Sequence, residues 1–153
     1  MSQAIRLVSY NCRGLRNTTI PSLLNDSDII LLQETFLCKQ DLGALNSLSP
    51  FFQGTGASPT DASVSLIRGR PRGGVAIFYR KTLAKLVTHI ELGHDCISAI
   101  SIKLSNGILF YILSVYLPYH CPENEEEFIS KIGTIMSIIN DFDSPNTLVM
   151  GDF

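Results

Sequence analysis

Apolar residues along this chain fall into short runs divided by turn-forming clusters, and the period of those runs changes in the C-terminal third. Residues 5–10, 29–33, 75–79, 97–104, 108–116 and 147–150 are rich in Ile, Leu and Val at the length of extended strands. Ser105-Asn106-Gly107 separates two of these runs. An Asn-Gly step supplies the positive backbone angles of a tight hairpin, so the strands on either side of it are predicted to be antiparallel neighbours. Residues 108–115 are apolar at nearly every position, the pattern of a strand covered on both faces. From 122 to 142 the period becomes helical: Phe128, Ile132, Ile135, Met136 and Ile139 recur on one stripe, and Pro122 with Glu123, Glu125, Glu126 and Glu127 marks the start. A shorter helix is predicted near Pro21, with Ile20, Leu23 and Leu24 on one face and Asn25-Asp26-Ser27 at its end. Residues 40–72 are rich in Gly, Pro, Ser and Thr and predict long loops holding a short helix and a short strand. Strands interleaved with two helical patterns predict a layered α/β protein with a mixed sheet.

Composition narrows the class. At 153 residues and 45% apolar, the chain has the length of one domain or part of one and enough apolar surface for a core. Its apolar runs are far shorter than the roughly 20 residues that a bilayer requires, and no charged-then-apolar leader opens it. The expectation is an intracellular protein, nuclear or cytoplasmic, with no membrane partner. The net charge of −2 hides an asymmetry: residues 1–86 hold ten Lys/Arg against five Asp/Glu, and residues 87–153 hold two against nine. Arg68, Arg70, Arg72, Arg80, Lys81 and Lys85 lie close in sequence, which suits a phosphate backbone and equally suits a solvated loop. Cys12, Cys38, Cys96 and Cys121 are scattered singly, without the paired spacing of a zinc site. Reduced, partly buried thiols are expected.

The chemistry is suggested by how the strands end. Val8-Ser9-Tyr10-Asn11, Ile30-Leu31-Leu32-Gln33-Glu34, Leu113-Ser114-Val115-Tyr116 and Leu148-Val149-Met150-Gly151-Asp152 each run from apolar residues into a polar or ionisable one. Strand ends in layered α/β proteins present ligand-binding groups on a rigid frame. Two carboxylates, an amide and a phenol converging there make an anionic, oxygen-rich site. Such a site suits a hard cation such as magnesium, which keeps positions for water and phosphate oxygens. Phosphate chemistry is the leading expectation.

Five stretches carry a resemblance: Ser9-Tyr10-Asn11-Cys12-Arg13-Gly14-Leu15, Ile29-Ile30-Leu31-Leu32-Gln33-Glu34-Thr35, Arg72-Gly73-Gly74-Val75-Ala76-Ile77, Ser114-Val115-Tyr116-Leu117-Pro118 and Leu148-Val149-Met150-Gly151-Asp152-Phe153. In kind and order they resemble the endonuclease/exonuclease/phosphatase superfamily, and within it the apurinic-type endonuclease domains of non-LTR retrotransposons. The resemblance implies the N-terminal part of a four-layer α/β sandwich, with mixed, mostly antiparallel sheets flanked by helices. It implies Glu34 as the principal Mg2+ ligand, with Mn2+ as a possible substitute, and Asn11 as support for the metal or phosphate. Tyr116 would touch the scissile phosphate, and Asp152 would orient and deprotonate the attacking water. The implied substrate is DNA, nicked to give a 3′ hydroxyl that primes a reverse transcriptase domain of the same full-length polyprotein. Arg13, Arg70 and Arg72 are the residues expected to touch nucleic acid.

Arg13 stands where the family often has an acidic or amide side chain, and it cannot ligate a cation but can grip phosphate. Tyr119 stands where the family commonly places Asn. The family continues after Gly-Asp-Phe with Asn and later with a Ser-Asp-His element, so residues 1–153 are expected to be an incomplete domain whose C-terminal portion is absent. Two readings stay open: a metal-dependent DNA endonuclease, or an inactive remnant that binds DNA or a partner.

Overall fold

The computed structural model describes residues 4–15, 25–64 and 66–153. Among these described residues eight strands form two four-stranded sheets. The first holds β1 (Leu7–Asn11), β2 (Ile29–Gln33), β3 (Phe52–Ala57) and β4 (Val75–Arg80) in the order β1-β2-β4-β3. The second holds β5 (Val87–Ile90), β6 (Ile97–Lys103), β7 (Leu109–Tyr116) and β8 (Thr147–Asp152) in sequence order. Each sheet is mixed: β1 runs parallel to β2, and β7 parallel to β8, while every other pairing is antiparallel.

The alternation of side chains along β2 shows why both faces are apolar. Ile29 and Leu31 point between the sheets, where they meet Ile77, Ile100, Ile102 and Ile112. Ile30 and Leu32 point outward, into a cluster with Leu37, Leu45, Phe52, Ala76 and Phe78. Leu45 belongs to a 3-10 segment, Lys39–Ser47, which covers that outer face. The outer face of the second sheet is covered by α1 (Glu125–Phe142), whose Ile135 and Ile138 pack on Ile97, Leu113 and Val115. The result is four layers, a 3-10 and loop layer, two sheets and a helix, as the resemblance implied. The three clusters together remove most of the Ile, Leu and Val of these strands from water, each fully buried side chain contributing about 1.5–3 kcal/mol.

The predicted strands are all present, 29–33 with the bounds expected and the others with ends shifted by at most two residues. The Ser105-Asn106-Gly107 turn joins β6 to β7 as expected: Gly107 has φ +83°, and Asn106 Oδ1 accepts the Ile108 N–H at 3.0 Å. The loop-rich stretch holds the 3-10 segment and β3. Strand β5 was not predicted from the sequence. The helix begins with a 3-10 turn, Pro122–Asn124, and its buried stripe differs from the expected one. Ile132 and Met136 are exposed, and the packed face runs through Phe128, Ile135, Ile138, Ile139 and Phe142. Tyr111 draws the helix this way by stacking on Phe142, with ring centroids 4.2 Å apart. All four cysteines are free thiols, Cys12 and Cys38 buried and the other two half-buried. The short helix predicted near Pro21 lies outside the described residues. Among the described residues no helix is long and apolar enough to cross a membrane.

Candidate active site

The two parallel pairs decide where the polar strand ends meet. Because β1 and β2 run the same way, Asn11 sits beside Gln33, one residue before Glu34. Because β7 and β8 run the same way, Tyr116 sits beside Asp152. The sheets pack with β1 and β2 against β8, so all four tips lie at one end of the sandwich.

The amide of Asn11 joins them. Its Nδ2 donates to Glu34 Oε1 at 2.9 Å and to Asp152 Oδ2 at 2.8 Å. Its Oδ1 accepts the Arg13 N–H at 3.2 Å, which fixes the amide's orientation: the oxygen faces a backbone donor and the nitrogen faces two carboxylates. Glu34 and Asp152, 118 positions apart in the chain by their numbers, thus share one donor. Tyr116 joins them along a cleft of about 360 Å³ that also touches Pro118, Tyr119 and Phe128. Burial raises the Tyr116 phenol above its ordinary value of 10.0, and the charges of Glu34 and Asp152 raise it further. At neutral pH Tyr116 is therefore an O–H donor beside two acids.

Glu34 reaches this position through a left-handed backbone, φ +54°. That conformation is uncommon for a residue with a side chain and costs on the order of 1–3 kcal/mol. Backbone bonds on both sides hold it. Gly14 N–H donates to the Glu34 carbonyl at 2.7 Å, and Thr35 and Phe36 donate to the carbonyls of Gly74 and Gly73 at 3.2 and 3.0 Å. Gly74 has φ +88°, and a Cβ there would sit 2.5 Å from Thr35 Oγ1. The Arg-Gly-Gly stretch is thus the clamp of the Glu34 turn. Gly151 has a comparable task, since a Cβ on it would run into the Val115 carbonyl and push β8 off β7 just before Asp152.

Sequence reasoning missed a polar bridge beneath the site. Gln33, 1% exposed, donates through Nε2 to Ser9 Oγ and to Ser114 Oγ, each at 3.1 Å. Ser114 Oγ also donates to the Leu32 carbonyl at 3.3 Å. Three strands from both sheets are thereby registered one residue before Glu34. The available signal was three polar residues inside otherwise apolar runs. Thr35 Oγ1 is buried and has no hydrogen-bond partner among the described residues. Burial also raises the Cys12 thiol, and the charge of Glu34 adds a little, so Cys12 is a thiol and not a thiolate.

The basic residues divide. Arg72 is exposed and lines a second cleft, of about 570 Å³, that shares Tyr116 with the site. Arg70 lies over the ring of Phe36 at 4.2 Å, two residues past Glu34. Arg13 is exposed one turn from Asn11. Arg80, by contrast, is committed to the fold: its Nε meets Asp28 Oδ1 at 3.1 Å and its guanidinium lies over Phe52.

A match to a protein-family model now gives this geometry a context. The model of the endonuclease/exonuclease/phosphatase family matches residues 8–153. The chain belongs to this family. No curated protein matches the sequence. Among solved structures, an AP endonuclease from Archaeoglobus fulgidus superposes with a TM-score of 0.64 at 15% identity, over 97% of this chain and 57% of that one. A 3′ phosphatase, NExo, from Neisseria bound to a product DNA hairpin gives 0.61 at 18% identity, over 98% and 58%. The human Nocturnin catalytic domain gives 0.63 at 16% identity, over 97% and 63%. The family member described here therefore spans 57–63% of the length of these structures.

The donors at the site fit a hard divalent cation. Among the described residues no cluster of three or more His, Cys, Asp or Glu gathers. Magnesium needs no such cage, being held by one or two carboxylates with waters and phosphate oxygens filling the rest.

Proposed function

We propose that this protein is a magnesium-dependent phosphodiesterase that nicks DNA, with residues 1–153 forming the first part of the catalytic domain. The supporting observation is the Asn11 amide held between Glu34 and Asp152, with Tyr116 in the same cleft. In this reading Glu34 is the principal ligand of the cation, and Asn11 supports it by holding the carboxylate in place. A divalent cation so held supplies positive charge against the phosphate oxygens and the leaving group. Asp152 orients the attacking water and takes its proton. Tyr116, kept protonated by its surroundings, donates to a phosphate oxygen and stabilises the charge that grows there. Arg13, Arg70 and Arg72 lie around the site and contact the nucleic-acid backbone. The quoted motifs further support a retrotransposon origin, with the nick priming a reverse transcriptase domain of the full-length polyprotein.

The test is nicking of supercoiled plasmid with Mg2+. The protein is expected to relax the plasmid, and Glu34→Gln and Asp152→Asn are each expected to lower the rate by at least about 100-fold. Nicking that persists in either variant refutes the assigned roles. DNA binding without any nicking by the parent protein would favour the binding-remnant reading.

A further inference from the structure

The cleft beside Glu34, Tyr116 and Asp152 has a second wall, and it is aromatic. Tyr119 and His120 leave β7 just after Pro118, and Phe128 rises from the start of α1. His120 rests on Phe128, with ring centroids 4.7 Å apart and planes inclined by 32°. Tyr119 is 86% exposed, and among the described residues its ring stacks on nothing. Its backbone, however, is pinned. Asn124 Nδ2 donates to the Tyr119 carbonyl at 2.7 Å, and Asn124 Oδ1 accepts the Cys121 N–H at 3.0 Å. A bare aromatic ring on a fixed backbone, opening onto a polar cleft, is a stacking platform without its partner.

Charge indicates what the partner is. On the Arg72 side of Tyr116 the cleft holds Arg72 and Lys131 against Asp95 and Glu127. Lys131 pairs with Glu127 at 2.7 Å and Lys39 with Asp95 at 3.2 Å, so among the described residues Arg72 is the cation left to meet a phosphate. On the Tyr119 side Glu123, Glu125 and Glu126 follow within a few residues, and they oppose a continuing backbone. A flat, uncharged group attached to a phosphate fits between these two ends.

We infer that Tyr119, backed by the His120–Phe128 pair, forms a subsite for an unpaired nucleobase next to the phosphate held at Glu34, Tyr116 and Asp152. The inference rests on the phosphodiesterase reading for the position of that phosphate. A base can reach Tyr119 only when it is out of a duplex stack, so the favoured substrate carries a single-stranded or splayed nucleotide there.

The experiment compares two short fluorescent strands of identical backbone, one bearing bases and one built wholly of abasic tetrahydrofuran residues. Binding is measured by anisotropy in EDTA, so that no hydrolysis intervenes. The protein is expected to prefer the base-bearing strand. Tyr119→Ala is expected to weaken that strand by roughly 5- to 150-fold, the range of a lost base–aromatic stack, and to leave the abasic strand unchanged. Tyr119→Phe keeps the ring and is expected to restore the preference. Tyr119→Ala weakening both strands alike, or neither, overturns the subsite, as does equal binding of both strands by the parent protein. The two readings separate cleanly. A preference that depends on Tyr119 but comes without Mg2+-dependent nicking keeps the subsite and removes the nuclease, and nicking without the preference does the reverse.

Discussion

Replacing Gln33 with leucine tests whether the buried bridge under the site holds the two sheets in register. Leucine has nearly the same volume, so no large cavity opens, and the cost lies in the lost hydrogen bonds. Bonds to two partners are removed: Ser9 Oγ, which accepts from Nε2 at 3.1 Å and donates to Oε1 at 3.4 Å, and Ser114 Oγ, which accepts from Nε2 at 3.1 Å, at about 0.5–1.5 kcal/mol for each partner. Ser114 keeps its bond to the Leu32 carbonyl, and Ser9 lines a cleft at the molecular surface where water can replace the amide. The expected destabilisation is therefore about 1–3 kcal/mol and falls short of an orphaned core polar group. Urea unfolding followed by circular dichroism measures it, and a double-mutant cycle with Ser114→Ala isolates the pair. If the two side chains bond as described, Ser114→Ala costs less in the Gln33→Leu background than in the parent, with a coupling of about 0.5–1.5 kcal/mol. Additivity within about 0.3 kcal/mol would show that the bridge does not exist in solution. In nicking, Gln33→Leu is expected to lower the rate though it touches no substrate, because Glu34 follows it directly.

Gly151→Ala should cost about 3 kcal/mol or more, since its Cβ meets the Val115 backbone, which cannot rotate away; an unchanged urea midpoint would show that β8 sits further from β7 than described. Tyr116→Phe should flatten the alkaline limb of stability. The raised folded value means that the Tyr116 contribution is complete below about pH 10 and is lost as pH rises above it. Parallel curves for the parent and Tyr116→Phe between pH 8 and 11 would contradict this. The salt dependence of DNA binding should lessen by about 0.7–0.9 in log–log slope for each phosphate contact removed in Arg70→Ala and Arg72→Ala; unchanged slopes make both arginines bystanders. A thiol reagent should modify half-buried Cys96 and Cys121 well before buried Cys12 and Cys38, and equal rates would mean that the β1 end opens readily.

Much of this protein is written locally. Strand runs of Ile, Leu and Val, the Asn106-Gly107 turn and the glutamate-led helix depend on backbone sterics and on period, which a stretch of sequence carries by itself. The polar strand tips could be read in the same way, since each follows directly on its own apolar run. The short strand predicted within residues 40–72, β3, had no set position and β5 had no prediction, because that local signal is weak in both. Gly54 and Gly56 weaken the first as a strand, and Val87–Ile90 is short and half polar, so both exist because β4 and β6 offer them a ladder. The stripe of α1 likewise followed Tyr111 and Val115 of its neighbour β7, which no helical period within 122–142 records. Above all, the meeting of Glu34 with Asp152 belongs to the tertiary structure. It needs two parallel pairings in different sheets, the packing of β1 against β8, and the left-handed turn at Glu34 that Gly73 and Gly74 hold. Proximity across more than a hundred residues is set by how layers stack, and the chain's order cannot state it.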